Sequence, residues 1–262
     1  MIELLNLFDT HAHLDDERFD TDRSDVLRRM VDAGVTRCNC IGADRASSEA
    51  AVRLAESHDG LYAVVGIHPQ AAAEFSPSDE TWLRELSRHP KVVAIGEIGL
   101  DYHYDEPIKE LQREAFHNQM DWAVKWGKPV QLHIRDAHDE VIDYLRLRKD
   151  ASPKAVILHC FSGSWDYAKA YLSLGCTISL SGSVTFKNAR DLHEVARNVP
   201  LDRLLIETDC PYLAPEPKRG KRCEPAFVAH TAARIADLRG IPLEELARAT
   251  TQNALRVFGI SE

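Results

Sequence analysis

Eight short apolar runs recur at residues 7–12, 36–41, 62–67, 92–96, 130–133, 155–159, 177–180 and 204–207, each followed by a helix-patterned segment. No other feature constrains the fold as strongly. Continuous apolar runs without alternation suit parallel strands covered on both faces. Helical periodicity lies between them near 22–33, 46–57, 79–88, 108–126, 137–148, 165–174 and 188–197, and two more helices are expected near 224–239 and 242–258. The segment 108–126 should turn Leu111, Ala115, Trp122 and Trp126 to one face. The final helix aligns Leu243, Leu246, Ala247, Thr250, Ala254, Val257 and Phe258 on one side. Eight such units predict an α/β fold, a (β/α)8 TIM barrel with an extra C-terminal helix. An open doubly wound sheet is the competing arrangement, but no G-x-G-x-x-G follows the first strand. The 262 residues contain no linker or low-complexity stretch, so 1–262 reads as one barrel domain.

Composition narrows the function classes. With 32 basic and 41 acidic side chains the net charge is −9, which argues against broad coating of duplex DNA or anionic lipid. No apolar run approaches ~18 residues, so no transmembrane helix is expected. The stretch from Met1 to Phe8 lacks the basic segment of a signal peptide, so a cytoplasmic protein without membrane association is expected. The six cysteines (Cys38, Cys40, Cys160, Cys176, Cys210 and Cys223) are then reduced thiols. Cys38 and Cys40 are spaced too tightly for a zinc ribbon and read as buried strand residues.

Histidine placement carries the chemistry. His11, His13, His68, His133 and His159 end or closely follow predicted strands, as do the carboxylates Glu97 and Asp209. In a barrel the carboxyl ends of all strands converge on one face, where active sites lie. His11 and His13 are two residues apart, which points both imidazoles to the same side of a strand. A single histidine of this kind is ordinarily a hydrogen-bonded core group. Several imidazoles and carboxylates buried together need a cation or dense hydrogen bonding to offset desolvation. His11, His13, His133, His159, Glu97 and Asp209 are too many for one tetrahedral site with an open position. They suit two divalent cations about 3.5–4 Å apart, with a carboxylate between them. Glu97 follows the predicted fourth strand and can reach that position. Nitrogen-rich ligation suits zinc, manganese, iron or nickel better than magnesium alone, and open positions with phosphate oxygens admit Mg²⁺, so Mg²⁺, Mn²⁺ and Zn²⁺ all stay open.

The chain resembles the TatD family of metal-dependent hydrolases along almost its whole length. The resemblance rests on the stretches Asp9 to Leu14, Gly66 to Pro69, Gly96 to Tyr102, Leu132 to Ala137, Leu158 to Gly163 and Glu207 to Leu213, in that order. It implies a divalent-metal-dependent deoxyribonuclease, usually cytoplasmic, that hydrolyses DNA phosphodiester bonds. It further implies one ion on His11, His13, Glu97 and Asp209, and a second on Glu97, His133 and His159. Activated water between the ions would attack phosphorus, with Asp209 as general base.

Arg135 and His68 are the candidate phosphate contacts, although Arg135 next to Asp136 also suits a salt bridge and His68 a loop hydrogen bond. Asp9 and Asp101 are expected to orient metal ligands, and Glu207 to be a structural partner. The run Lys218-Arg219-Gly220-Lys221-Arg222 follows Asp209 on the same face and offers a cationic rim, with Arg222 the preferred substrate contact. The family typically has Arg-Asn-Glu-Pro where this chain has Arg222-Cys223-Glu224-Pro225, so any hydrogen bond of that amide is absent here. Tyr102 and Tyr104 can stack on a base. The expected substrate is single-stranded DNA or DNA ends, cut as an exonuclease and serving repair or turnover, with no obligate protein partner. The competing enzyme class is a binuclear amidohydrolase or phosphotriesterase acting on a small molecule. Many of those bridge their metals with a modified lysine, whereas here no lysine follows Lys91 on the predicted strand and Glu97 stands in that place. A metal-dependent barrel that binds nucleic acid without cutting it would tolerate an incomplete donor set.

Overall fold

In the computed structural model, which describes residues 5–261, every apolar run forms a strand. The strands are β1 (Leu7–Ala12), β2 (Val35–Ile41), β3 (Leu61–Val65), β4 (Val92–Asp101), β5 (Val130–Arg135), β6 (Val156–Leu158), β7 (Thr177–Leu180) and β8 (Leu204–Ile206). They pair in chain order, all parallel. The barrel is a (β/α)8 TIM barrel. Its seam closes where the Asp209 N–H donates to the His11 carbonyl at 2.9 Å and the His13 N–H to the Cys210 carbonyl at 2.8 Å. The same two bonds fix Asp209 beside His11 in β1 and His13 just after it.

One helix follows each strand: α1 (Arg23–Asp32), α2 (Arg45–Ser57), α3 (Asp79–Ser87), α4 (Lys109–Trp126), α5 (His138–Leu147), α6 (Trp165–Ser173), α7 (Arg190–Asn198) and α8 (Val228–Arg239). The extra helix is α9 (Leu243–Phe258). Its Ala254, Leu255, Val257 and Phe258 pack against Phe8, Ile41, Val64, Ala94, Ile157 and Leu205, one residue or more from six strands. That covers the strands' amino ends with apolar side chains and leaves the carboxyl ends open for polar ones. Asp44 starts α2 with a capping box, its carboxylate accepting from Ser47 N. All six cysteines are free thiols, and Cys38 and Cys40 are fully buried in β2.

Two expectations need correction. β4 runs through Asp101, so Glu97 lies inside the strand rather than after it. Gly99 permits this: its φ is +145°, and a Cβ there would sit 1.9 Å from the His133 carbonyl oxygen. Only glycine lets the two backbones approach so closely. Second, Leu111 is about a third exposed, whereas Ala115 and Trp122 are buried as expected, together with Phe116, Gln119, Met120 and Ala123. The buried stripe of α4 is thus rotated away from Leu111, because the buried amides of Gln112 and Gln119 serve as packed side chains. Gln119 bonds both backbone groups of Ile67, and Gln112 bonds those of Asp101.

Candidate metal centre

The carboxyl ends of the strands surround a cavity of about 700 Å³, lined by His13, His68, Glu97, His133, His159 and Asp209 among others. Glu97 sits at its base, and its two oxygens face different imidazoles. Oε2 lies 3.6 Å from His11 Nε2 and 3.7 Å from His13 Nε2. Those two nitrogens are 3.2 Å apart, and each is 3.6 Å from Asp209 Oδ1. Oε1 lies 2.7 Å from His159 Nε2 and 2.8 Å from His133 Nδ1, with 3.3 Å between these nitrogens.

A cation with bonds of about 2.0–2.1 Å in a tetrahedral shell spaces its ligands about 3.3–3.4 Å apart. The first group, His11, His13, Glu97 Oε2 and Asp209, matches that spacing. The second, Glu97 Oε1, His133 and His159, is slightly more contracted. With the far nitrogens of His133 and His159 donating to Asp101 and Glu207, their near nitrogens and Glu97 Oε1 present only lone pairs to one another at 2.7–3.3 Å, which divalent cations offset better than a hydrogen-bond network.

The surrounding groups set the tautomers. His133 turns Nε2 to Asp101 Oδ2 at 3.2 Å, and His159 turns Nδ1 to Glu207 Oε1 at 3.1 Å. Donation of those protons leaves His133 Nδ1 and His159 Nε2 free to coordinate. Asp101 and Glu207 thus each orient one imidazole. Asp9 does something different: its carboxylate accepts from the Thr208 N–H at 2.8 Å, the Thr208 hydroxyl at 2.6 Å and the His11 N–H at 3.3 Å. It ties β1 to the segment carrying Asp209 rather than touching a ligand ring. Burial, reinforced by Glu207, pushes Asp9 up to about 8 despite the hydrogen bonds from Thr208 and His11.

Electrostatics follow from the crowding. Burial alone would raise Glu97, but His159, His68 and His11 outweigh it and hold the carboxyl well below the usual range. Burial likewise opposes charge on His159, yet Glu97 and Glu207 lift it well above an ordinary histidine. Asp209 is lowered against its burial by His13, His159 and His11. His11 goes the other way, lowered by burial and by His159, whose ring stacks on it at 3.8 Å. A cation entering such a site displaces protons from the imidazoles, so its affinity is coupled to pH.

The other expected residues divide. His68 accepts from Gln70 N–H through Nδ1 at 3.0 Å, so its proton sits on Nε2, 3.6 Å from Glu97 Oε1. Burial and the neighbouring imidazoles lower its pKa to about 3, against the pull of Glu97, so the ring is neutral. It presents an N–H to the cavity rather than a lone pair. Arg135 lines the cavity, lies 5.5 Å from the Tyr104 ring centroid and makes no ion pair among the described residues. Asp136 pairs instead with His103 at 3.3 Å.

Arg222 is not at the cavity. Its guanidinium pairs with Asp22 at 2.7 and 2.8 Å and covers the Phe19 ring, while Arg29 clasps Glu224. Lys218 lies over Phe227 and Arg219 over Phe186. The basic run therefore braces the segment after β8 against α1 and other neighbours. Cys223 is buried there, its N–H on the Pro211 carbonyl at 3.1 Å. Sequence reasoning passed over Tyr212, which lines the cavity edge-on to His13 at 6.1 Å. Its place three residues after Asp209 was the available signal.

The family model for TatD-related DNases matches residues 8–259. A Bacillus subtilis protein described as the uncharacterized metal-dependent hydrolase YabD is 45% identical, covering 97% of this chain and 100% of the relative. A Pantoea vagans protein named 3'-5' ssDNA/RNA exonuclease TatD is 36% identical, covering 97% of this chain and 100% of its own. The crystal structure of the TatD homologue YjjV of Escherichia coli K12 superposes with a TM-score of 0.93 at 31% identity, covering 99% of this chain and 100% of that one.

Proposed function

The chain belongs to the TatD family and is a metal-dependent hydrolase, and from that premise we propose that it cuts phosphodiester bonds at the ends of single-stranded DNA. One observation carries the proposal: Glu97 divides its two oxygens between two sets of imidazoles at the base of an open cavity that Arg135 also lines. The relative named as an exonuclease of single-stranded DNA and RNA supports a nucleic-acid substrate.

In this proposal one divalent cation would be held by His11, His13, Glu97 and Asp209, and another by Glu97, His133 and His159. Mg²⁺, Mn²⁺ or Zn²⁺ held there supplies Lewis acidity, drawing charge from phosphoryl oxygen and making water a better nucleophile. The protein does the rest. Asp209 stays ionised next to the imidazoles of His11 and His13, and its carboxylate accepts the proton of the attacking water. Glu97 holds the two halves of the donor set in register. The neutral His68 donates its Nε2 proton, and Arg135 its guanidinium protons, to the non-bridging oxygens as their charge builds. His68 is held before substrate arrives by its hydrogen bond from Gln70, and Arg135 stands at the end of β5 with its guanidinium free to engage phosphate.

The test is end-labelled single-stranded DNA incubated with protein reloaded with each of the three metals. Wild-type protein should produce a ladder of shortened strands, and Asp209→Asn should slow it about 10²-fold or more while melting normally. Undiminished cutting by Asp209→Asn would refute the assigned base. Cleavage of amide or phosphotriester substrates but not DNA would refute the substrate.

A further inference from the structure

The cavity has two unlike halves. Across β4 and β5 the rim carries Tyr104, half exposed, with the Arg135 guanidinium 5.5 Å from its ring centroid. Across β8 and β1 it carries Tyr212, equally exposed, with the Arg18 guanidinium 4.4 Å from its ring centroid. Each pair adjoins one half of the donor set. Arg135 is two residues beyond His133 on β5, and Tyr212 is edge-on to His13. The strands that bear the pairs lie on opposite sides of the barrel.

The guanidiniums are not equivalent. Arg135 has no carboxylate partner among the described residues. Arg18 is claimed by Asp16 through two hydrogen bonds of 2.8 and 2.7 Å, and serves to hold one face of Tyr212. Asp15, Asp16 and Asp44 all line the cavity on that side, and of the three only Asp16 has an ion-pair partner among the described residues. A phosphate on the Tyr212 side would meet three carboxylates against one guanidinium already paired with Asp16, and one on the Tyr104 side would meet a free guanidinium.

We infer that the two halves take different parts of one strand: Tyr212 stacks the base of the terminal nucleoside being released, while Arg135 and Tyr104 hold the phosphate and base of the strand that remains. This placement rests on the nuclease proposal and adds to it a reason for acting at ends. Past the terminal nucleoside there is a ring to stack on and carboxylates that repel a further phosphate, so a continuing backbone is rejected. Stacking on Tyr212 has little dependence on base identity, because every base offers a π-face. The phosphate beyond the cut enters only from the side where positive charge is free.

The experiment uses three short single-stranded oligodeoxynucleotides and metal-loaded protein. The first ends in hydroxyl groups, the second carries a phosphate on the end that is removed, and the third has an abasic residue at that end. Wild-type protein should favour the first over the second by about 10-fold or more, and Asp44→Asn, which keeps the helix cap, should narrow that ratio. Tyr212→Ala should lower kcat/KM on the first substrate about 10-fold and on the third less than twofold, because no base remains to stack. Tyr212→Phe should behave as wild type. Equal losses on the first and third substrates would show that Tyr212 is only a structural residue and would overturn the placement while leaving the nuclease proposal intact. So would equal rates on hydroxyl and phosphate ends. Absence of cutting on every oligonucleotide overturns both.

Discussion

Glu207→Gln offers the sharpest view of how the donor set is divided. Glu207 is fully buried just past β8 and accepts three hydrogen bonds, from His159 Nδ1 at 3.1 Å, Cys160 N at 2.6 Å and Ser179 Oγ at 2.5 Å. Glutamine keeps the shape. Its amide oxygen can retain His159 and Cys160 if the NH2 group turns to Ser179, whose hydroxyl can rotate to accept. What disappears is the charge behind the imidazole. A hydrogen bond to an ionised acceptor contributes about 1.5–3 kcal/mol against about 0.5–1.5 for a neutral one. The lost polarisation of His159 is then about 1.4 kcal/mol, or about tenfold in metal affinity, at the low end of the 10–100-fold typical of such partners. Among the six proposed ligands Glu207 hydrogen-bonds only His159, so only the ion on the His133–His159 side should weaken. Protein stripped with a chelator and titrated calorimetrically with Mn²⁺ should show two binding events, one shifted about tenfold in the variant and one unmoved. Equal weakening of both, or of neither, would refute the division of ligands.

Two further outcomes follow from the geometry. Gly99→Ala places a Cβ 1.9 Å from the His133 carbonyl, so β4 and β5 must separate. A displacement of about 1 Å at the ligands should cost about 10²-fold in rate, with about 3 kcal/mol of stability; an unchanged melting temperature with full activity would disprove the close approach. Asp22 is lowered to about 2, chiefly by Arg222, with burial opposing and Arg29 assisting. A depressed carboxyl contributes stability above its unfolded value of 3.8 and loses it as pH falls toward 2. Asp22→Asn should therefore melt below wild type at pH 6, and the gap should shrink between pH 4 and pH 2.5; a constant gap would assign the loss to packing rather than to charge.

The repeat of apolar runs was enough to place eight strands, because parallel strands buried on both faces leave their composition directly in the chain. The strand-end histidines were legible for a related reason: barrel topology brings every carboxyl end to one face whatever the details of packing. The two-residue spacing of His11 and His13 predicts imidazoles on one side, and their nitrogens do lie 3.2 Å apart although His13 falls just past the end of β1. Less was visible where long side chains choose among distant partners. Arg222 looked like a substrate contact because it follows Asp209, yet Asp22, 200 residues away in the chain, takes its guanidinium. The alternative partner of Arg135, Asp136, takes an αL conformation and pairs with His103 instead, leaving the guanidinium at the cavity.

From sequence alone came the barrel, the face that bears the chemistry and the residue types gathered there, all consequences of periodicity and chain order. Tertiary structure decided which atoms meet. It turned Glu97 so that each oxygen faces a separate set of imidazoles, gave His68 a proton to donate, and spent most of the basic run on bracing the barrel. It also set Tyr212 and Tyr104 on opposite rims, the first beside a guanidinium paired with Asp16 and the second beside one unpaired among the described residues. Such choices depend on distances of a few ångströms between groups far apart in the chain, and hydrogen bonds and ion pairs are won or lost within that range.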